Sequence, residues 1–128
     1  MDKEFSDFNC LTFIISKKHL FSVELVQISE FQKMMKRLYF KRDLARGVER
    51  TYNWLLDEVA ELGEEVKGAD KGATEKEFAD VIAWLASLAN IMGVDLEKAA
   101  VNKYDNKCPK CQHSPSQCTF KLSKAPLS

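Results

Sequence analysis

An all-α, four-helix-bundle-like fold is predicted, on three observations. Apolar residues recur three and four apart over two long stretches, 48–66 and 78–92. No proline interrupts the chain before Pro109. Helix-ending and helix-starting residues stand where those stretches stop: Gly68, Gly93 and Asp95. The 128 residues, 45% apolar and 30% charged, suit one globular domain.

Three regions are expected: an N-terminal extension at 1–27, a helical domain at 28–107 and a Cys-containing, irregular tail at 108–128. Within the first, residues 11–15 and 21–25 have strand-like composition and read as a hairpin or as an extension outside the domain; the second reading is preferred. The start Met1-Asp2-Lys3-Glu4 is not a basic leader, and the apolar run at 11–15 is too short to span a membrane, so a cytoplasmic location is expected.

A first helix is predicted over 29–40, with Ser29 as N-cap and Phe31, Met34, Met35, Leu38 and Tyr39 as its apolar side. A polar connector follows at 42–47. A second helix is predicted over 48–67, capped by Gly68, with the stripe Val48, Tyr52, Leu55, Val59, Leu62 and Val66 as a bundle seam. The third begins near Thr74, where Thr74 and Glu77 have capping-box spacing. Its stripe is Phe78, Val81, Leu85, Leu88 and Met92, and Gly93 ends it. Asp95 caps a fourth helix reaching about Lys103 or Tyr104. Trp54, Ile82, Trp84 and Ile91 add apolar surface beside these stripes. That is more than one small subunit hides, which predicts a homodimer or a dimer of dimers.

Net charge is zero, which gives no general field for nucleic acid or a membrane. Its distribution is uneven. Lys33, Lys36, Arg37, Lys41, Arg42, Arg46 and Arg50 precede an acid-rich segment at 57–80. Such a chain can hold a polyanion together with its metal; the plainer reading is two solvated helix faces.

Within the acid-rich segment stand two pairs, Glu58 with Glu61 and Glu77 with Asp80, each spaced i, i+3 on one side of its helix. In an antiparallel hairpin, Glu61 lies level with Asp80, Glu65 with Glu77, and Glu58 with Trp84. Each acid precedes a seam residue by one, so the acids of both helices flank the seam. Four carboxylates meeting there repel one another unless cations hold them. Hard divalent ions, Mg²⁺ or Mn²⁺, suit an all-oxygen donor set. Taken singly, Glu77 reads as a cap, Asp80 as a helix-dipole residue and the others as a solvated flank. Jointly the pattern is different, because Lys67, Lys71 and Lys76 cluster at the turn and not beside Glu58 and Glu61.

Glu-x-x-Glu, fifteen residues, then Glu-x-x-Asp resembles the MazG-like nucleotide pyrophosphohydrolases of the all-α NTP pyrophosphatase superfamily. Ile28-Ser29-Glu30-Phe31-Gln32, Arg46-Gly47 and Trp54-Leu55 resemble that family's opening helices, and Asn102-Lys103-Tyr104 its downstream element. The chain departs from the pattern at Asp57 and Lys107. The resemblance implies hydrolysis of a (d)NTP between the α and β phosphates, giving the monophosphate and pyrophosphate. It implies Glu58, Glu61, Glu77 and Asp80 as catalytic Mg²⁺ ligands, and Asn102, Lys103 and Lys107 as substrate contacts. No Gly-x-x-x-x-Gly-Lys-Ser/Thr segment is present, which disfavours a P-loop enzyme independently.

Cys108-Pro109-Lys110-Cys111, then Cys118, is expected to offer thiolates to Zn²⁺, with His113 or Cys10 as a fourth ligand; otherwise the tail carries free thiols. Two other functions compete. A di-iron bundle wants Glu-x-x-His, yet His19 and His113 lie outside the acidic helices. A non-enzymatic helical oligomer whose zinc tail binds protein or nucleic acid leaves the acid pairs unexplained, and the tail has few bases for nucleic acid.

Overall fold

The computed structural model describes residues 26–119, and the strand-like runs at 11–15 and 21–25 and Cys10 lie outside them. The described residues form four helices: α1 (Ile28–Arg46), α2 (Val48–Glu65), α3 (Lys71–Met92) and α4 (Leu96–Lys103). α2 and α3 make the hairpin, α3 also packs along α1, and α4 turns by 99° to lean on α1. No single helix among these is long and apolar enough to cross a membrane.

The predicted connector at 42–47 is helical as far as Arg46. Asp43 is the reason: it falls eight residues beyond the buried Met35 on the same side of α1 and is itself 1% exposed. Gly47 alone breaks the helix, at φ 89, a value that side-chain-bearing residues rarely adopt. Its N–H closes α1 on the Asp43 carbonyl, and its carbonyl accepts from Thr51 N–H to open α2.

Two expected caps are corrected. Gln27, not Ser29, stands at the N-cap of α1, and the free Ser29 N–H donates to Glu97 Oε1 across the fold at 3.1 Å. Asp70, not Thr74, caps α3, its Oδ1 accepting from Ala73 N–H at 3.1 Å. The Thr74 hydroxyl instead donates to the Asp70 and Glu65 carbonyls, which ties the start of α3 to the end of α2. No Thr74–Glu77 capping box forms, and the Glu77 side chain faces the hairpin. Gly93 ends α3 at φ 70 and Asp95 caps α4, as expected.

The α3–α4 turn is held by Gln32. Its Nε2 donates to Asn90 Oδ1 and to the Val94 carbonyl, its Oε1 accepts from Leu96 N–H, and its carbonyl accepts from Asn90 Nδ2. A half-buried amide that both donates and accepts across the turn fixes one geometry.

The α2 seam is shifted from the expected one. Thr51, Leu55, Glu58, Leu62 and Glu65 are the residues that lose exposure on the hairpin side. Val48, Tyr52, Val59 and Val66 remain 45–58% exposed. At about 100° per residue they lie roughly 80° round the helix, so α2 carries two apolar faces, of which only one is covered among the described residues. α3 repeats this with Phe78, Ile82, Leu85 and Met92 exposed. The fully buried apolar set within the described residues is correspondingly small: Met35, Ala86 and Ala89.

Candidate active site

Because the seam runs through Glu58 and Glu65, these two acids face α3 and do not merely flank it, while Glu61 lies exposed beside it. Glu58 from α2 and Glu77 and Asp80 from α3 each bring a carboxylate oxygen to within 4.8 Å of the others. Glu58 and Glu77 are half-buried and Asp80 is exposed. Burial, then the charges of Glu61, Asp80 and Glu77, hold the Glu58 carboxyl above its ordinary range, and a Trp84 hydrogen bond works the other way. Burial, then Glu61, Asp80 and Glu65, raise Glu77 likewise, and a hydrogen bond with Glu61 favours its protonated form. Glu61 therefore sits beside the three converging carboxylates, one turn along α2.

Glu77 Oε1 is buried without a hydrogen-bond partner among the described residues. A buried acceptor with nothing to accept from is costly. Converging hard oxygens, raised proton affinity and an orphaned carboxylate atom together fit a divalent cation of the Mg²⁺ or Mn²⁺ type.

Against this cluster opens a cavity of about 310 Å³, lined by Met35, Tyr39, Arg42, Asp43, Arg46, Asp80, Ala83, Trp84 and Ser87. Asp80 belongs to both cluster and cavity. Trp84 stacks on Trp54, with ring centroids 5.5 Å apart and planes 12° from parallel, and the Arg46 guanidinium lies 4.7 Å over its ring. Arg46 is held in turn: Nη1 donates to Asp43 Oδ1 at 2.7 Å and reaches Thr51 Oγ1 at 3.4 Å. Asp43 Oδ2 is buried on the cavity wall with no hydrogen-bond partner among the described residues. The arrangement sets cationic and aromatic groups next to clustered carboxylates, as a metal-bound polyanion carrying a flat ring requires.

The family model for the MazG nucleotide pyrophosphohydrolase domain matches residues 46–112, just over half of the chain. The chain belongs to the MazG nucleotide pyrophosphohydrolase family. Membership brings a general nucleotide pyrophosphohydrolase role to this MazG domain, and the match takes in both acid pairs and the Cys-x-x-Cys turn. Among curated proteins no match is found.

The other sequence-predicted residues of the MazG domain lie elsewhere in the same chain. Asn102 lines a shallow cleft with Asp95, Glu97, Lys98 and Val101, and Lys103 Nζ lies 5.7 Å over the Tyr104 ring. Lys107 is exposed just before the tail. None of the three lines the cavity beside the carboxylates. Arg42 and Arg46 came from the basic stretch noted in the sequence, but Asp43 had not been singled out. Its signal was available: continuing the α1 stripe from Phe31 through Met35 and Tyr39 lands on it.

In the tail, Cys108, Cys111 and Cys118 bring their sulfurs to within 4.8 Å of one another, and His113 is not part of that group. Cys111 is pushed down to about 5, chiefly by the Gln117 N–H donated to its sulfur, then by the His113 backbone and the Ser116 hydroxyl. Cys108 goes down as well, Ser116 being the largest cause. Ser116 also lowers Cys118, but hydrogen bonds with Cys108 and Cys111 and the charge of Cys108 raise it more, so it goes up.

Proposed function

We propose that this MazG domain is a Mg²⁺- or Mn²⁺-dependent nucleoside triphosphate pyrophosphohydrolase, converting a (d)NTP and water to the (d)NMP and pyrophosphate. The observation that carries the reading is the meeting of Glu58, Glu77 and Asp80 at the mouth of a cavity walled by Arg42, Arg46, Tyr39 and Trp84. Glu58, Glu77 and Asp80 would hold the cation, with Glu61 completing the set. When bound, such an ion neutralises phosphate oxygens and acidifies a water. Glu61, beside the converging three, would accept a proton from the attacking water at a carboxylate oxygen. Attack at the α-phosphorus forms one P–O bond and breaks the α–β bridge, and pyrophosphate leaves. Arg42 and Arg46 offset phosphate charge, and Tyr39 and Trp84 offer aromatic walls for the base.

The same reading includes assembly. Val48, Tyr52, Val59 and Val66 on α2 and Phe78, Ile82, Leu85 and Met92 on α3 stay exposed in one chain. Covering these faces with a second copy, as a homodimer or dimer of dimers, removes that surface from water. Assembly would also let α4 of one subunit bring Asn102, Lys103 and the following Lys107 to the cavity of its neighbour, where the lysines would meet the departing pyrophosphate.

Incubating the purified full chain with each (d)NTP and Mg²⁺ tests the reaction. Monophosphate and pyrophosphate in equal amounts are expected. Orthophosphate as the first product overturns the pyrophosphohydrolase reading. No turnover of any nucleotide by a folded, oligomeric chain would instead favour the non-enzymatic helical oligomer.

A further inference from the structure

The tail at 105–119 has almost no apolar content with which to hold a shape. Its two proline rings are exposed, and only Cys108 and Cys111 are half-buried. Yet the chain there is closely organised. Cys108 N–H donates to the His113 carbonyl at 2.9 Å, and Gln112 N–H donates to the Cys108 carbonyl at 2.8 Å. Gln112 sits at φ 64 and Asn106 at φ 58, left-handed conformations that cost a side-chain-bearing residue energy unless something enforces them. Segments this short and polar are ordinarily held by a metal or a disulfide. The three cysteines are free thiols.

The sulfur geometry suits the first. Cys108 Sγ and Cys118 Sγ lie 3.6 Å apart. A tetrahedral ion with metal–sulfur bonds of about 2.3 Å sets its sulfurs about 3.8 Å from one another. The Ser116 hydroxyl oxygen is 3.6 Å from Cys111 Sγ and accepts from Cys118 N–H at 3.2 Å. Gln117 N–H donates to Cys111 Sγ at 3.2 Å, the kind of backbone support that orients a thiolate ligand. Ser116 thus holds its hydroxyl oxygen against the cluster, within reach as a fourth ligand.

We propose that Cys108, Cys111 and Cys118 form a zinc site, separate from the carboxylate cluster, in which Ser116 stands at the fourth position, directly or through one water. Soft thiolates select Zn²⁺ over Mg²⁺, so the two sites sort their ions by donor type. The site clips the chain immediately after Lys107 and so fixes how it leaves α4.

The test uses the full chain, purified without added metal, with zinc per chain measured by mass spectrometry and Co²⁺ as a spectroscopic probe. One zinc per chain is expected, unchanged in Cys10→Ala and lost in Cys111→Ser. Replacing zinc by Co²⁺ should give the intense thiolate-to-metal charge-transfer bands of a sulfur-rich tetrahedral site. Ser116→Cys should raise zinc affinity on the order of tenfold or more against a competing chelator, by adding a fourth soft ligand. Helical circular dichroism should stay the same in every variant, because the tail lies outside the helices. The proposal is overturned if the unmodified chain gives no Co²⁺ charge-transfer bands. It is equally overturned if zinc survives Cys111→Ser combined with Cys118→Ser, or if Ser116→Cys leaves affinity unchanged. Because wild-type Co²⁺ spectra are decisive by themselves, a variant that fails to fold does not rescue it.

Discussion

Replacing Arg46 by Met should destabilise the domain through the carboxylate it leaves behind. Asp43 has a side chain 2% exposed, and its one ionic partner among the described residues is the Arg46 guanidinium at 2.7 Å, itself 18% exposed. At an effective dielectric of about 20, a pair at that distance attracts by roughly 6 kcal/mol, most of it offset by stripping both groups of water. Removing Arg46 cancels the attraction but not the burial, and Asp43 Oδ2 already has no partner among the described residues. The expected cost is about 3–5 kcal/mol. At about 4 °C per kcal/mol for a domain near this size, Tm falls by roughly 12–20 °C. The double variant Asp43→Leu with Arg46→Met removes the stranded charge and should recover about 2 kcal/mol or more of that loss. The lost contact between Arg46 and Trp84 is common to both variants and drops out of the comparison. Urea and thermal unfolding at one fixed protein concentration measure all three proteins, so association contributes equally. If Arg46→Met is no less stable than the double variant, Asp43 is not stranded and the reasoning fails.

The remaining predictions concern the site and assembly. Glu58 and Glu77 carry folded-state proton affinities above the ordinary carboxyl value of 4.5, so their stabilising contribution is full below that pH and lost as pH rises through the raised values. Mg²⁺ replaces those protons, so its stabilisation of the fold should grow as pH rises above 4.5 towards neutrality; a Tm gain that is flat with pH refutes this. Glu61→Gln combined with Glu77→Gln should abolish turnover with helical content intact, and full activity would remove the carboxylates from the reaction. Lys103→Ala should lower kcat by roughly 10²-fold with Mg²⁺ binding nearly unchanged, on the scale of one lost stabilising donor. Co-refolding inactive Glu58→Gln with Lys103→Ala should restore up to about a quarter of wild-type turnover if Lys103 serves the neighbouring subunit, and none if it serves its own. Light scattering at micromolar protein should give more than one chain per particle, and a strict monomer would leave the exposed faces of α2 and α3 unexplained.

The two acid pairs were legible because i, i+3 spacing puts both members on one side of a helix whatever its rotation. The rotation was harder to read. Val59 and Leu62 are equally apolar, and 3.6-residue periodicity alone cannot say which belongs to the inner face when α2 has two. Glu58 and Glu65 therefore looked like a flank when they lie in the seam. Asp43 was hidden by a misplaced helix end: a polar run at 42–47 resembles a connector until the Asp43–Arg46 pair is known to hold it helical. Gly47, Gly93 and Asp95 were legible as punctuation, since backbone conformation and local capping depend on few neighbours. Thr74 was misread because Asp70 competes for the same end of α3, and the stronger cap took it. Ser116 could not have been weighed from the sequence, because its hydroxyl meets three sulfurs only once the tail has folded.

A seam that carries clustered carboxylates has a consequence for how such a protein can change. In most enzymes the packing and the chemistry occupy different surfaces, and drift in one leaves the other alone. Here Leu55 and Leu62 alternate with Glu58 and Glu65 along a single line of α2, opposite Glu77, Val81 and Trp84. A bulkier or smaller residue at Leu62 or Val81 alters the spacing between the helices, and that spacing sets the separation of the carboxylates. Selection on the reaction therefore reaches apolar residues that never touch a nucleotide. An engineer seeking greater thermal resistance would do better at exposed polar positions such as Lys76, where a substitution leaves the gap between α2 and α3 alone.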